Sequence, residues 1–222
     1  ITNIPLTDQD LNKMSEAVEF MKQFKGFSHF RELDGMIQKL EDHVYSQKKK
    51  QKPVIDFEKN ENLKGLEHLE VLYQSIIQQR AVNLTYQSFK ARQPGSFDFH
   101  PYHLKEFRNR WFVIGVKGRN QPILNLALDR IMEVRQADVL YHYKEDFEPG
   151  KYFRDVIGVT VNENQKAEKV ILFVSHKHAN YVITKPFHNS QKVIGKDGHG
   201  ITIELEVQHN FELEKEILGL GE

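Results

Sequence analysis

Cysteine is absent from these 222 residues, tryptophan occurs once, and no apolar run approaches the ~20 residues needed to cross a bilayer. Without thiols there is no disulfide, no thiolate nucleophile and no cysteine-ligated zinc, and the composition fits a reducing, cytoplasmic setting. Neither sign of charge is in excess, because Lys+Arg and Asp+Glu number 31 each. Total charge therefore draws the chain to neither nucleic acid nor membrane, and any such affinity has to come from uneven placement. No charged-then-apolar leader opens the sequence.

Catalytic signatures are missing too. There is no Gly-x-Ser-x-Gly, no Gly-x-x-x-x-Gly-Lys-Ser/Thr, no dinucleotide-type glycine loop and no His-Glu-x-x-His. Gly195–Gly200 is glycine-rich but lies between two strand-like runs and reads as a hairpin turn. The close histidine pairs, His100/His103 and His176/His178, bring no third ligand at motif spacing, so no metal site is expected. Neither an enzyme nor a cofactor is indicated.

What the chain does contain is an ordered change of period. Thr7 with Asp10 three positions on forms a capping-box-like start. Leu11, Met14, Val18, Met21 and Phe24 then recur at helical spacing, followed by Phe30, Leu33, Ile37, Leu40 and Val44. Residues 1–57 are thus expected to be a helical connector, closed by the basic linker Ser46–Lys52 and a short strand at Pro53–Phe57. A helix over Leu63–Ile77 leads directly into strands near Val82–Tyr86, Phe97–Tyr102, Arg110–Val116, Ile123–Leu128 and Ile131–Arg135. Gln93–Ser96 reads as the first hairpin turn. Five short strands without crossover helices predict a small bent barrel over 58–142. Residues 143–160 read as a linker. The order strand, helix, strand, strand, helix over 161–222 predicts a ferredoxin-like α+β domain. The chain opens on Ile1 and closes soon after an incipient helix, so it reads as a fragment.

The strand run Phe99–Gly115 gathers unusual chemistry. Tyr86, His100, Tyr102, Arg108, Arg110, Trp111 and Arg130 are the candidate site: arginine forks suit phosphate, and planar rings suit bases. Period 2 limits the grouping. His100 and Tyr102 share a face, as do Arg110 with Phe112 and Trp111 with Val113, so Arg110 and Trp111 cannot enter one pocket. The apolar neighbours of Trp111 favour burial in the core, and Arg130 beside Asp129 also suits a turn or salt bridge. The six lysines from Lys166 to Lys196 read mainly as solvated charge.

Residues 63–135 resemble the WYL domain, a ligand-sensing Sm-like/SH3-like barrel of bacterial transcription regulators. The resemblance is carried by Arg110-Trp111-Phe112-Val113, by His100-Pro101-Tyr102, and by Leu128-Asp129-Arg130-Ile131. His188-Asn189-Ser190-Gln191 and Asn210–Leu213 resemble strings of the extension that usually follows that domain. Phe112 stands in place of the family's tyrosine, and Ala127 where many members carry an arginine. The resemblance implies an α+β protein made of helical connector, Sm-like/SH3-like barrel and ferredoxin-like extension. It implies a homodimer whose barrel binds single-stranded nucleic acid or a nucleotide-like anion. Operator DNA would be held by a winged helix-turn-helix outside this chain. A structural dimerisation or scaffold module without a ligand is the alternative.

Overall fold

The computed structural model describes residues 63–221, together with Thr7, Asp10 and Lys13. The helices, basic linker and strand expected before residue 58 therefore lie outside the described residues. Thr7 is the exception. Its amide donates to Asp10 Oδ2 at 3.0 Å while the Asp10 amide donates to Thr7 Oγ1 at 3.2 Å, the reciprocal bonding of a capping box. Those bonds to Thr7 hold the Asp10 carboxyl below its ordinary range.

Gly65, at φ 87°, turns the chain into a 3-10 turn (Leu66–His68) and helix α1 (Leu69–Ile77). Leu69, Leu72 and Ser75 recur every three residues and form its buried face. The helix stops where Gln79 adopts φ 51° and the Arg80 amide reaches back to the Ser75 carbonyl at 2.8 Å, a Schellman-type ending. Strand β1 (Val82–Tyr86) follows at once, with Val82 and Leu84 turned inward.

Strand β2 (Gly95–Phe107) is 13 residues long and serves two neighbours. Its first five residues pair with β1 and the rest with β3 (Arg110–Val116). The register slips between Pro101 and His103, so Tyr102 is an inserted bulge residue that bends the strand. Gly95 and Ser96 are already paired with Tyr86 and Thr85, so the first hairpin loop is 87–94 and the turn expected at Gln93–Ser96 has half moved into the strand. Arg108 and Asn109, at φ 50° and 60°, make a two-residue loop of the type whose twist suits a hairpin. Strand β4 (Leu124–Ala127), a 3-10 turn (Leu128–Arg130) and β5 (Ile131–Gln136) complete the unit.

The sheet order is β4-β3-β2-β1-β5, antiparallel throughout. It is not a closed barrel. The 3-10 turn joins β4 and β5 end to end, and β5 then runs along β1, which leaves β4 and β5 as the two edges. One core lies between α1 and the sheet: Leu69, Leu72, Val82, Leu84, Phe99, Val113, Leu126, Leu128 and Ile131. A second lies on the opposite face, with Tyr102, Ile114, Val116 and Phe147. Alternation along β3 feeds both, odd residues to the first and even residues to the second.

The segment after β5, expected to be a linker, is instead packed. Phe147, Val156, Ile157 and Val159 are buried, and helix α2 (Pro149–Tyr152) stacks Tyr152 on Phe147. Strands β6 (Glu168–Ser175), β7 (Lys192–Lys196) and β8 (Gly200–Val207) form a second antiparallel sheet in the order β6-β8-β7. Helices α3 (His176–Thr184) and α4 (Phe211–Leu218) cover one face of it, where Ile201, Ile203, Leu205 and Val207 point. This α+β arrangement follows the element order expected from the sequence. Phe107 joins the core beneath α4, and Arg108 pairs with Glu216, so the β2–β3 hairpin docks on the second unit.

Candidate functional site

The seven candidate residues do not gather in one hollow. Arg110 and Val116 stand at opposite ends of β3, and His100 pairs with Val116. At ~3.3 Å per residue the arginine end and the histidine end lie about 20 Å apart.

At the arginine end, Asp129 is the hub. Arg110 Nε lies 3.3 Å from Asp129 Oδ2 and Arg130 Nε 4.0 Å from Oδ1. Neither Asp129 Oδ1 nor Arg130 Nε has a hydrogen-bond partner, although both atoms are buried. The Arg130 guanidinium sits 4.0 Å from the ring centroid of Phe89, itself 76% exposed on the 87–94 loop. This is a cationic and aromatic edge with one carboxylate beneath two arginines. Tyr86 and Trp111 pack against the α1 core from its rim, so for Trp111 the core placement prevails. Arg108 faces the other way, toward Glu216.

At the histidine end the chemistry is buried. His100 is 3% exposed and Tyr102 7% exposed. Burial, then the neighbouring His142, lowers the His100 pKa, while Asp98 raises it. Burial raises the Tyr102 phenol to about 12. Both side chains hold down the segment that follows β5. The His142 amide donates to His100 Nδ1 at 3.2 Å, and the Tyr141 hydroxyl donates to the Pro101 carbonyl at 2.7 Å. The rings of Tyr143 and Phe147 lie 5.0 and 5.5 Å from that of Tyr102. His100 is thus a support behind a wall, and Tyr102 backs the same wall while also lining the hollow beside it. In front of the wall, between residues 141–145 and the β3–β4 loop, opens a hollow of about 380 Å³ lined by Arg119, Tyr143 and Lys144 among others. The sequence reading missed these residues. The one signal was Tyr141-His142-Tyr143, a ring-rich triplet in a stretch with no strand or helix period.

A wider cleft of about 830 Å³ separates the two units, lined by His103, Lys105, Phe153, Arg154, His188 and Glu206 among others. Lys105 Nζ lies 4.4 Å above the Phe153 ring, and Arg154 donates to both Asp155 oxygens, from Nε and Nη2. Its charges largely neutralise one another. His188 accepts from the Ser190 amide at Nδ1, so its Nε2 donates to the Arg154 carbonyl at 2.8 Å and clips the two sides together. Among the described residues no three His, Asp or Glu side chains gather for a metal, and no helix is long and apolar enough to cross a membrane.

One buried histidine, His100, and one half-buried, His103, give the fold a pH dependence. Burial lowers both the His100 and the His103 pKa, with Lys105 adding to the latter. As pH falls through about 6.5 the unfolded chain takes up these protons before the folded chain does, so stability falls. It levels off once the folded rings protonate as well. Urea melts should therefore show a lower midpoint at pH 5.5 than at 7.5, and His100→Gln, which keeps an acceptor that does not titrate, should flatten that slope. An unchanged slope would remove His100 as its source.

Residues 67–136 match the family model described as the WYL domain. The match begins at the 3-10 turn before α1 and ends at the last residue of β5, and a WYL domain is present there. No curated protein matches the chain. Among solved structures, the proteasome accessory factor B/C of Arthrobacter aurescens is similar at 17% identity and a TM-score of 0.36. That match covers 66% of this chain and 21% of the other, so this chain spans about a fifth of that protein's length.

Proposed function

We propose that this chain is the ligand-sensing part of a bacterial DNA-binding transcription regulator, a binding module with no catalysis of its own. Its WYL domain binds single-stranded nucleic acid or a nucleotide-like anion. The observation that carries this reading is the Arg110–Asp129–Arg130 edge with Phe89 stacked on it, because guanidinium forks and an exposed ring suit phosphate and base together. The sheet order β4-β3-β2-β1-β5 supports an opened Sm-like sheet. The order β6-β8-β7 with both helices on one face supports a ferredoxin-like extension of the kind that follows WYL domains.

Sensing requires that the ligand bind two arrangements of the protein unequally. The two units meet through Phe107, Arg108–Glu216 and the His188 clip, with a cleft between them, so there is a seam able to adopt more than one packing. An attached DNA-binding domain would read that change, in a protein working as a homodimer.

Short single-stranded oligonucleotides are expected to bind in low salt, with affinity falling as salt rises. Arg110→Ala and Arg130→Ala should each weaken binding by about tenfold, the scale of one lost charge-assisted contact. Light scattering on the same samples should give twice the 26.1 kDa chain mass. Absence of binding at low salt by the unaltered protein would end the sensor reading, and a monomer would end the dimer.

A further inference from the structure

We infer that the hollow between the β3–β4 loop and residues 141–145 is a second anion site, one that takes a phosphate monoester carrying a planar ring, of mononucleotide size. It lies at the histidine end of the sheet, away from the arginine edge, and does not depend on the reading given above for that edge.

The hollow holds about 380 Å³, within the ~300–1,000 Å³ range of small-molecule pockets. Its two walls each bring a cation, Arg119 from the loop and Lys144 from the opposite segment. Both side chains are exposed, and among the described residues neither is engaged in an ion pair. Two exposed cations lining one hollow favour an anion there. Glu145 is the one carboxylate in the lining, so positive charge predominates.

An aromatic face completes the site. Tyr143 is 48% exposed and meets Tyr102 edge-on at 65°, an arrangement that leaves a ring face open to stacking. The wall carrying Tyr143 and Lys144 is preorganised, because the His142 amide is tied to His100 and the Tyr141 hydroxyl to the Pro101 carbonyl. A wall already ordered loses little conformational entropy on binding. This assigns a role to His100 and Tyr102 that the sequence grouping missed. His100 positions the wall from behind and is outside the lining, whereas Tyr102 both backs Tyr143 and lines the hollow itself.

The test is calorimetric titration of the full chain with AMP, with UMP, with inorganic phosphate, and with a 5′-phosphorylated and an unphosphorylated oligonucleotide. Saturable binding of the mononucleotides is expected, with inorganic phosphate at least tenfold weaker for want of a ring to stack. Tighter binding of the 5′-phosphorylated strand than of free AMP would assign the site to a strand end, which is the same phosphate-and-ring chemistry from another source. The Arg119→Ala/Lys144→Ala pair should weaken AMP by tenfold or more. Tyr143→Ala should weaken it by about tenfold and Tyr143→Phe hardly at all. Glu145→Gln should tighten it by a few fold. Arg110→Ala/Arg130→Ala should leave AMP binding unchanged, which separates this site from the arginine edge. The inference is overturned if neither mononucleotide nor strand binds saturably, if the Arg119/Lys144 pair is without effect, or if the Arg110/Arg130 pair abolishes AMP binding.

Discussion

Gly65→Ala, just ahead of the WYL domain, is expected to lower the thermal midpoint by about 10 °C. Gly65 holds φ at 87°, a left-handed conformation that costs an L-residue with a side chain ~1–2 kcal/mol. The added Cβ would also fall inside the Leu128 carbonyl and 2.6 Å from the Asp129 amide nitrogen. Those are backbone atoms of the 3-10 turn and cannot rotate aside. Overpacking of that kind adds ~1–3 kcal/mol or more. A total on the order of 4 kcal/mol, at ~2–4 °C per kcal/mol for a chain of this size, gives the stated shift. Differential scanning calorimetry measures it. A midpoint within 2 °C of the parent, a shift of roughly 1 kcal/mol or less, would mean that α1 does not seat on the Leu128–Arg130 turn as described.

The second large effect belongs to Asn210, which is 4% exposed. Its Oδ1 accepts from the Leu213 amide at 2.9 Å and caps α4, while its Nδ2 donates to the carbonyls of Ile157 and Thr160, each at 2.9 Å. Alanine removes a cap worth ~0.5–2 kcal/mol. It also strands two carbonyls at ~1–3 kcal/mol each when no water replaces the donor. A loss of about 3 kcal/mol in urea unfolding is expected. Asn210→Asp separates the two contributions. It keeps the cap acceptor but turns a carboxylate toward two carbonyl oxygens, so it should be at least as damaging as alanine. If Asn210→Asp were near neutral, the cap alone would account for the residue.

These examples show which features local sequence can carry. Helix α1 and the strands were readable because Leu69 and Leu72, or Val82 and Leu84, repeat at the period of their element. Alternation also set Trp111 and Val113 on one face and Phe112 on the other, and the structure packs the first pair against α1 and Phe112 against the opposite core. The bulge at Tyr102 was invisible, because one inserted residue shifts the register downstream without changing composition. It brings Leu104, paired with Val113, to the α1 side. The candidate site failed as a single hollow for a similar reason. Residues close in sequence were grouped together, whereas an extended strand carries Arg110 and the His100 level far apart. The wall at 141–145 is placed by hydrogen bonds to β2 from about forty residues away, and no local pattern encodes such a partner. In the sequence the strings His188–Gln191 and Asn210–Leu213 carry only a resemblance. Their physical content is the clip to Arg154, the Ser190 bonds to Glu206 and the Asn210 cap.

The pairing of β1 with β5 has a consequence for how the protein is made. Three of the four ladders in the first sheet join neighbours along the chain and close early as hairpins, but the outer edge of β1 waits for Ile131–Gln136. At ~5–20 residues per second, the interval between synthesis of Tyr86 and of Ile131 lasts about 2–9 s. Throughout it the ribosome carries an unpaired strand with the apolar faces of Val82 and Leu84, a template to which any neighbouring extended chain can add. A chain truncated before Ile131 should therefore aggregate more readily than one truncated just after Gln136, although both leave the face that Phe147 covers open.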